Sequence, residues 1–276
     1  MVSAMKQVRY LFFLSFVLLC FSCEKEIPLD YHEVEPLYVA EALTTQDGTT
    51  VQLTTTQNVT ENSRSGHYVD NATIVISCKK YDYSETLKYT RSGIYTSTLQ
   101  GEPGVTYDLD IEVDGHHFTS SSTMQEAPVI NSFRFVWQKF LSERMLFGDL
   151  RLQDTPDQNS YYFAHIYRNN VGYRWAVITD EHNHNGELQQ LFQCTTERDM
   201  DKGDEDGLKD GDRIRLEVRA IDKAAYDYLY SMQVMDNAGT NPIANFTGGC
   251  LGYYSACYVE SRDFTFRRAE VEEVGE

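Results

Sequence analysis

The densest group of residues able to do chemistry is the acidic run Asp199-Met200-Asp201-Lys202-Gly203-Asp204-Glu205-Asp206-Gly207, which continues to Asp212. Hard cations such as calcium take several oxygen ligands from a flexible loop, and this composition offers them. The register does not fit an EF-hand. With Asp204, Asp206 and Gly207 on its third, fifth and sixth positions, Lys202 falls on the first and Arg213 on the bidentate glutamate. A solvated connecting loop over 199–212 is expected, with calcium binding as the alternative. Glu181-His182-Asn183-His184-Asn185 puts two imidazoles on one side of an extended chain, a pattern that suits a transition metal. It lacks the helical HExxH spacing of zinc hydrolases, so a polar turn between two strands is the plainer expectation.

Other polar groups read as surface. His116 and His117 follow the turn pair Asp114-Gly115 and form the shoulder of a hairpin. Asp108 and Asp110 lie about 7 Å apart on one strand face, but they continue a regular polar face, which keeps a sheet soluble without acid–base work. No GxSxG, no SxxK and no cysteine beside a local His/Asn pair occurs, and Gly248-Gly249 lacks the spacing and lysine of a phosphate-binding loop. The chain is expected to be non-enzymatic, with no catalytic residue, no metal site and no cofactor. The aromatic residues are more suggestive. Tyr161, Tyr162, Tyr167, Tyr173 and Trp175 fall in strand-like segments, where rings are first of all core and cross-strand residues. Tyr253 and Tyr254 adjoin a Gly-rich segment and form the candidate contact surface, because aromatic rings supply stacking and hydrogen bonding at protein and glycan interfaces.

Strands must position these groups. The 276 residues are 41% hydrophobic and 13% aromatic, enough to bury a core. Period-two alternation marks 37–43, 50–56, 72–79, 86–99 and 106–113 with its return over 117–123. In the clearest case Tyr107, Leu109, Ile111 and Val113 share one face, while Asp108, Asp110 and Glu112 share the other. Alternation resumes after 129 and runs, with interruptions, to 267. Asp222 can cap one helix near 223–235, whose Ala225, Tyr228, Leu229 and Met232 make a single apolar stripe. The fold class expected is all-β: an immunoglobulin-like antiparallel sandwich over 37–125, then a second antiparallel β domain over 126–276 carrying that helix. With 42 acidic against 24 basic residues and a net charge of −18, no basic patch is available for nucleic acid.

Residues 1–22 carry Lys6 and Arg9, then the apolar run 10–19, then Cys20-Phe21-Ser22, the regions of an export signal. The run is about half the length that a membrane-spanning helix needs. Cys23 at its end resembles the lipobox cysteine of bacterial lipoproteins, with Cys20 standing where Leu or Val is usual. Cys23 is therefore expected to carry the lipid, with ordinary secretory cleavage as the alternative, and 23–36, with Pro28 and Pro36, reads as a tether. Four cysteines remain. Cys78 reads as core packing, and Cys250 with Cys257 is a possible disulfide, provided their Cα atoms come within about 7 Å.

Several short segments stand in a characteristic order: Cys23-Glu24-Lys25-Glu26-Ile27, Asp70-Asn71-Ala72-Thr73-Ile74, Gly93-Ile94-Tyr95-Thr96 and Glu102-Pro103-Gly104-Val105-Thr106-Tyr107-Asp108-Leu109. Lys209-Asp210-Gly211-Asp212, Tyr226-Asp227-Tyr228-Leu229, Asn241-Pro242 and Gly248-Gly249-Cys250-Leu251-Gly252-Tyr253-Tyr254 continue the series. Together they resemble one Bacteroidota outer-membrane lipoprotein family, domain-of-unknown-function family 4249. The resemblance implies two β modules, the first similar to transthyretin-like or carboxypeptidase-regulatory domains. It further implies a lipid anchor on the extracellular face of the outer membrane and a TonB-dependent transporter as partner, with ligand capture or docking as the role. A stand-alone surface adhesion or glycan-binding module is the alternative. It carries over no catalytic residue.

Overall fold

The computed structural model describes residues 35–56, 67–140, 142–154, 159–181, 186–238 and 242–274. The expected export signal, Cys23, most of the expected tether and the His182/His184 pair lie outside the described residues. The first sandwich begins with eight consecutive strands: β1 (Tyr38–Thr45), β2 (Gly48–Thr55), β3 (Thr73–Cys78), β4 (Tyr83–Thr86), β5 (Lys88–Arg91), β6 (Ile94–Ser97), β7 (Thr106–Val113) and β8 (His116–Thr123). The expected strand over 86–99 is thus broken into shorter pieces. In β7 the four apolar residues are buried and the acidic ones are not, as the alternation requires. Asp114 and Gly115 both adopt positive φ, which gives the tight turn into β8.

The second sandwich holds β9 (Ile130–Phe140), β10 (Glu143–Gln153), β11 (Tyr161–Arg168), β12 (Val171–Thr179), β13 (Glu187–Thr196) and β14 (Arg213–Ile221). Between β13 and β14 lies the short helix α1 (Glu197–Lys202), and after β14 comes the long helix α2 (Lys223–Ala238). The chain closes with β15 (Leu251–Ala256), β16 (Tyr258–Thr265) and β17 (Glu272–Glu273). The sheets of this sandwich run β13-β10-β9-β17 and β12-β11-β14-β16. Those of the first run β4-β3-β7-β8 and β15-β1-β2-β6-β5. The fold is all-β with a helical addition.

Strand β15 leaves its sequence neighbours and joins the first sandwich, parallel to β1 with Val39 opposite Leu251 and Thr44 opposite Ala256. One residue later the chain returns, and β16 pairs antiparallel with β14 in the second sandwich. Gly252 makes the join possible: its φ is +93°, and a Cβ there would sit 2.0 Å from the carbonyl oxygen of Ala40. This geometry corrects the expected disulfide. Cys250 and Cys257 are free and buried, because the segment between them is an extended strand rather than a closing loop. At the rise of a β-strand their Cα atoms are held on the order of 20 Å apart, well beyond disulfide reach. Burial pushes the Cys250 thiol up to about 12 and the Cys257 thiol up to about 11, so neither is a ready nucleophile.

Each sandwich has its own core. Ala40, Leu53, Ile76, Leu109 and Cys78 are among the residues that fill the first, and Leu146, Leu150, Ile166 and Leu216 are among those that fill the second. A third cluster of Tyr161, Phe163, Ile221, Ala225, Leu229 and Cys257 packs α2 onto the outer face of the second sandwich. Leu43 and Tyr253 of the first sandwich close against it.

Candidate functional site

The third cluster floors a cleft between the sandwiches, and β11 explains why. Its Tyr162, Ala164 and Ile166 enter the core, so alternation turns Phe163, His165 and Tyr167 to the opposite face. Cross-strand register sets His165 between Trp175 of β12 and Glu217 of β14, and Phe163 beside Arg219. The His165 and Tyr167 rings stack with centroids 4.0 Å apart, and Phe163 lies 5.8 Å from both His165 and Trp175. The facing wall is the outer surface of the first sandwich: Glu41 and Leu43 of β1, Thr50 and Gln52 of β2, and Tyr253 of β15. Helix α2 closes one side with Tyr228, Leu229 and Met232, and Tyr228 stacks on Tyr253 at 5.5 Å. The open cleft has a volume of about 430 Å³, within the range of small-ligand sites.

Polar ties hold the walls in place. Asp222 caps α2, with Oδ1 accepting from the Ala225 amide at 2.9 Å. Its other oxygen accepts from the Ser122 hydroxyl and the Thr123 amide of the first sandwich. The Gln46 side-chain amide donates to the Val259 carbonyl at 2.7 Å and accepts from the Val259 amide at 3.0 Å, clamping the β1–β2 turn to β16. The Val177 amide of β12 donates to Gln233 of α2.

Arg219 is the centre of the cleft's electrostatics. Its side chain is 13% exposed and lies over the Phe163 ring at 5.3 Å. Its bonds are long: Nη2 donates to Glu217 Oε2 at 3.3 Å and Nη1 to the Tyr253 hydroxyl at 3.5 Å. Its Nε is buried with no hydrogen-bond partner. Burial works against the charge, but Tyr253, Cys257, Tyr167 and Glu217 outweigh it, so the guanidinium remains a cation. Burial, with Arg219 nearby, holds the His165 imidazole below its ordinary range and therefore neutral at pH 7. Burial pushes the Tyr253 phenol up to about 12, which keeps it a donor. Rings, one guanidinium and carboxylates in this arrangement can hold a ligand by stacking and hydrogen bonding.

The two tyrosines of the expected contact surface part company. Tyr253 lines the cleft, but Tyr254 points the other way, is 0% exposed and bonds Thr44 through its hydroxyl at 3.0 Å. The reading of Tyr254 as surface is corrected: successive strand residues face opposite sides. The acidic run is likewise not a loop throughout. It begins in α1, which Thr196 caps, and its carboxylates are taken by separate partners. Asp201 pairs with Arg268, Asp206 with Arg174, and Asp212 with Arg168 and Asn169. Asp110 and His117 bond at 2.7 Å on an exposed hairpin face, with Glu112 close by, and Asp108 pairs with Lys79. Arg219, His165, Phe163 and Glu41 were missed as site residues. The available signal was Tyr161-Tyr162-Phe163-Ala164, apolar on both faces, which means that both faces of β11 are covered.

A family model described as Domain of unknown function (DUF4249) matches residues 24–249. The chain belongs to the DUF4249 family. The span that DUF4249 matches takes in every residue of the cleft's walls except Tyr253, and it stops short of Cys257 beneath them. This DUF4249 chain is also similar to a crystal structure of a candidate carbohydrate binding protein from Bacteroides uniformis, at 10% identity. That alignment covers 83% of this chain and 98% of the other, with a TM-score of 0.25, too low to carry an argument. No curated protein matches. Among the described residues no helix is long and apolar enough to cross a membrane.

Proposed function

We propose that this DUF4249 protein is a non-enzymatic lipoprotein of the outer-membrane surface that captures a ligand in the cleft between its sandwiches for a TonB-dependent transporter. The observation that carries the reading is the cleft itself: an aromatic-lined concavity with convergent polar groups, shaped by two separately packed cores and one helix. Anchoring is assigned to acylation of Cys23. Each buried CH2 of an acyl chain contributes about 0.8 kcal/mol, and a chain of net charge −18 gains nothing from anionic lipid. The lipid holds the body near the barrel, and the tether sets how far it reaches.

The test is a mild-detergent pull-down of the tagged full chain from its native membrane, with mass spectrometry of the co-purifying proteins. A transporter barrel in stoichiometric amount is expected, and Cys23→Ala is expected to release the protein from the membrane fraction. If the protein comes out alone, the transporter role falls. Retention of Cys23→Ala on the membrane overturns the lipid anchor.

A further inference from the structure

Resting on the reading of the cleft as a capture site, we infer that its ligand is an uncharged sugar ring, held with its apolar face against Trp175 and its hydroxyls bridging Arg219 and Glu41. The chain has two tryptophans in opposite situations. Trp137 is 3% exposed, whereas Trp175 is 39% exposed at the cleft with Phe163 and His165 beside it on the neighbouring strand. An open indole flanked by other rings is an apolar platform, suited to a ligand that has one apolar face and a polar rim.

The polar groups decide the charge of that ligand. Arg219 has donors to spare, since its Nε is buried without a partner and its two other bonds are 3.3 and 3.5 Å long. A guanidinium whose Nη donors are held only by long bonds can turn them to a ligand that brings an acceptor. An anion is disfavoured, because Glu217 already neutralises Arg219 and Glu41 on the facing wall has no ion pair among the described residues. The whole chain, at −18, adds to that repulsion. A cation is disfavoured by Arg219 itself. What remains is a neutral molecule whose groups both donate and accept. Hydroxyls do both: they accept from Arg219 and Gln52 and donate to Glu41, Glu217 or the neutral His165.

Tryptophan emission tests this directly. In a Trp137→Phe variant of the full chain, Trp175 is the sole indole, and calorimetry on the unaltered protein serves if that variant folds poorly. The probes are neutral gluco-, manno-, galacto- and xylo-oligosaccharides, with oligogalacturonate as the anionic comparison and chitosan oligomers as the cationic one. A neutral oligosaccharide is expected to shift the emission saturably, with affinity changing less than about twofold between low and high salt. Read by calorimetry, because Trp175→Ala removes the reporting indole, Trp175→Ala and Arg219→Met are each expected to weaken binding by about tenfold or more while keeping the far-ultraviolet circular dichroism of the parent. Silence of every neutral probe at millimolar concentration overturns the proposal, as does preferential, salt-sensitive binding of oligogalacturonate or chitosan oligomers. The two readings fail separately. A charged probe that binds and is lost in Trp175→Ala leaves the capture site standing and removes only the ligand class, while sugar binding by a protein that purifies without a barrel removes only the transporter.

Discussion

The corner at residues 197–212 and the cleft beneath α2 resolve their charges in opposite ways. At the corner charges are many, and the carboxylates that face protein are answered: Asp212 accepts from Arg168, from Asn169 and from the Lys209 amide, while Asp201 and Glu197 share Arg268. In the cleft charges are few, rings dominate, and the central guanidinium has a buried nitrogen with nothing to donate to. A dense run of acids, which reads from sequence as a solvated loop with calcium binding as the alternative, folds in part as internal bracing. An arginine in an ordinary alternating strand reads as wet surface and folds as the group with capacity left. Open hydrogen-bonding capacity inside a concavity, rather than local charge density, separates a site from a scaffold.

The strongest way to sharpen the contrast is to break the corner. Burial tends to push Asp212 up, but the bonds from Lys209, Asn169 and Arg168 outweigh it and hold the carboxyl below its usual range. Asp212→Ala leaves Arg168, 16% exposed, without its anion. We expect a loss of about 3 kcal/mol in urea unfolding, with the affinity of the cleft for its ligand unchanged. An intermediate effect belongs to His165. Because its folded pKa is lowered, the unfolded chain holds the extra proton between the two values. Stability is therefore complete above about pH 6.5, the unfolded value, and falls as pH drops toward the folded one. The melting temperature should decline on acidification, and His165→Asn should flatten the decline. His117, raised by its bond to Asp110, works with the opposite sign, so the difference between parent and variant is the readout. The smallest effect tests the cleft itself. Arg219→Met replaces a desolvated cation with an apolar chain of similar volume and should change unfolding free energy by less than about 1 kcal/mol. A large loss there would show Arg219 to be scaffold and erase the contrast.

Regular periodicity was legible where only one face of an element is buried. β7 with its turn at Asp114-Gly115 and α2 with its cap at Asp222 can be read from residue types alone. Legibility failed where partners come from afar. β15 reads as a Gly-rich loop because Gly248, Gly249 and Gly252 look like turn residues, yet Gly252 is there to let two backbones approach. Near the end of the chain Glu272 and Glu273, which show no alternation of their own, pair with Val136 and Trp137 of β9, and their carboxylates meet Arg134 and Arg144. In β14, Arg215 and Arg219 occupy equivalent positions in the alternation, but only Arg219 is roofed over by α2 and the first sandwich. Nothing local distinguishes the two arginines.

The return of β15 to β1 also orders events in time. As the chain emerges from a ribosome or a translocation pore, the strands of the first sandwich appear early, but the neighbour that covers the edge of β1 appears only with residues 251–256. Until then β1 presents unpaired backbone groups, a hazard that proteins manage by shielding or delay. Pairing across some two hundred intervening residues is also slow to find. The half of the molecule that is made first thus stays incomplete until the chain is nearly finished, and the cleft, which needs Tyr253 from that late strand, cannot form before then.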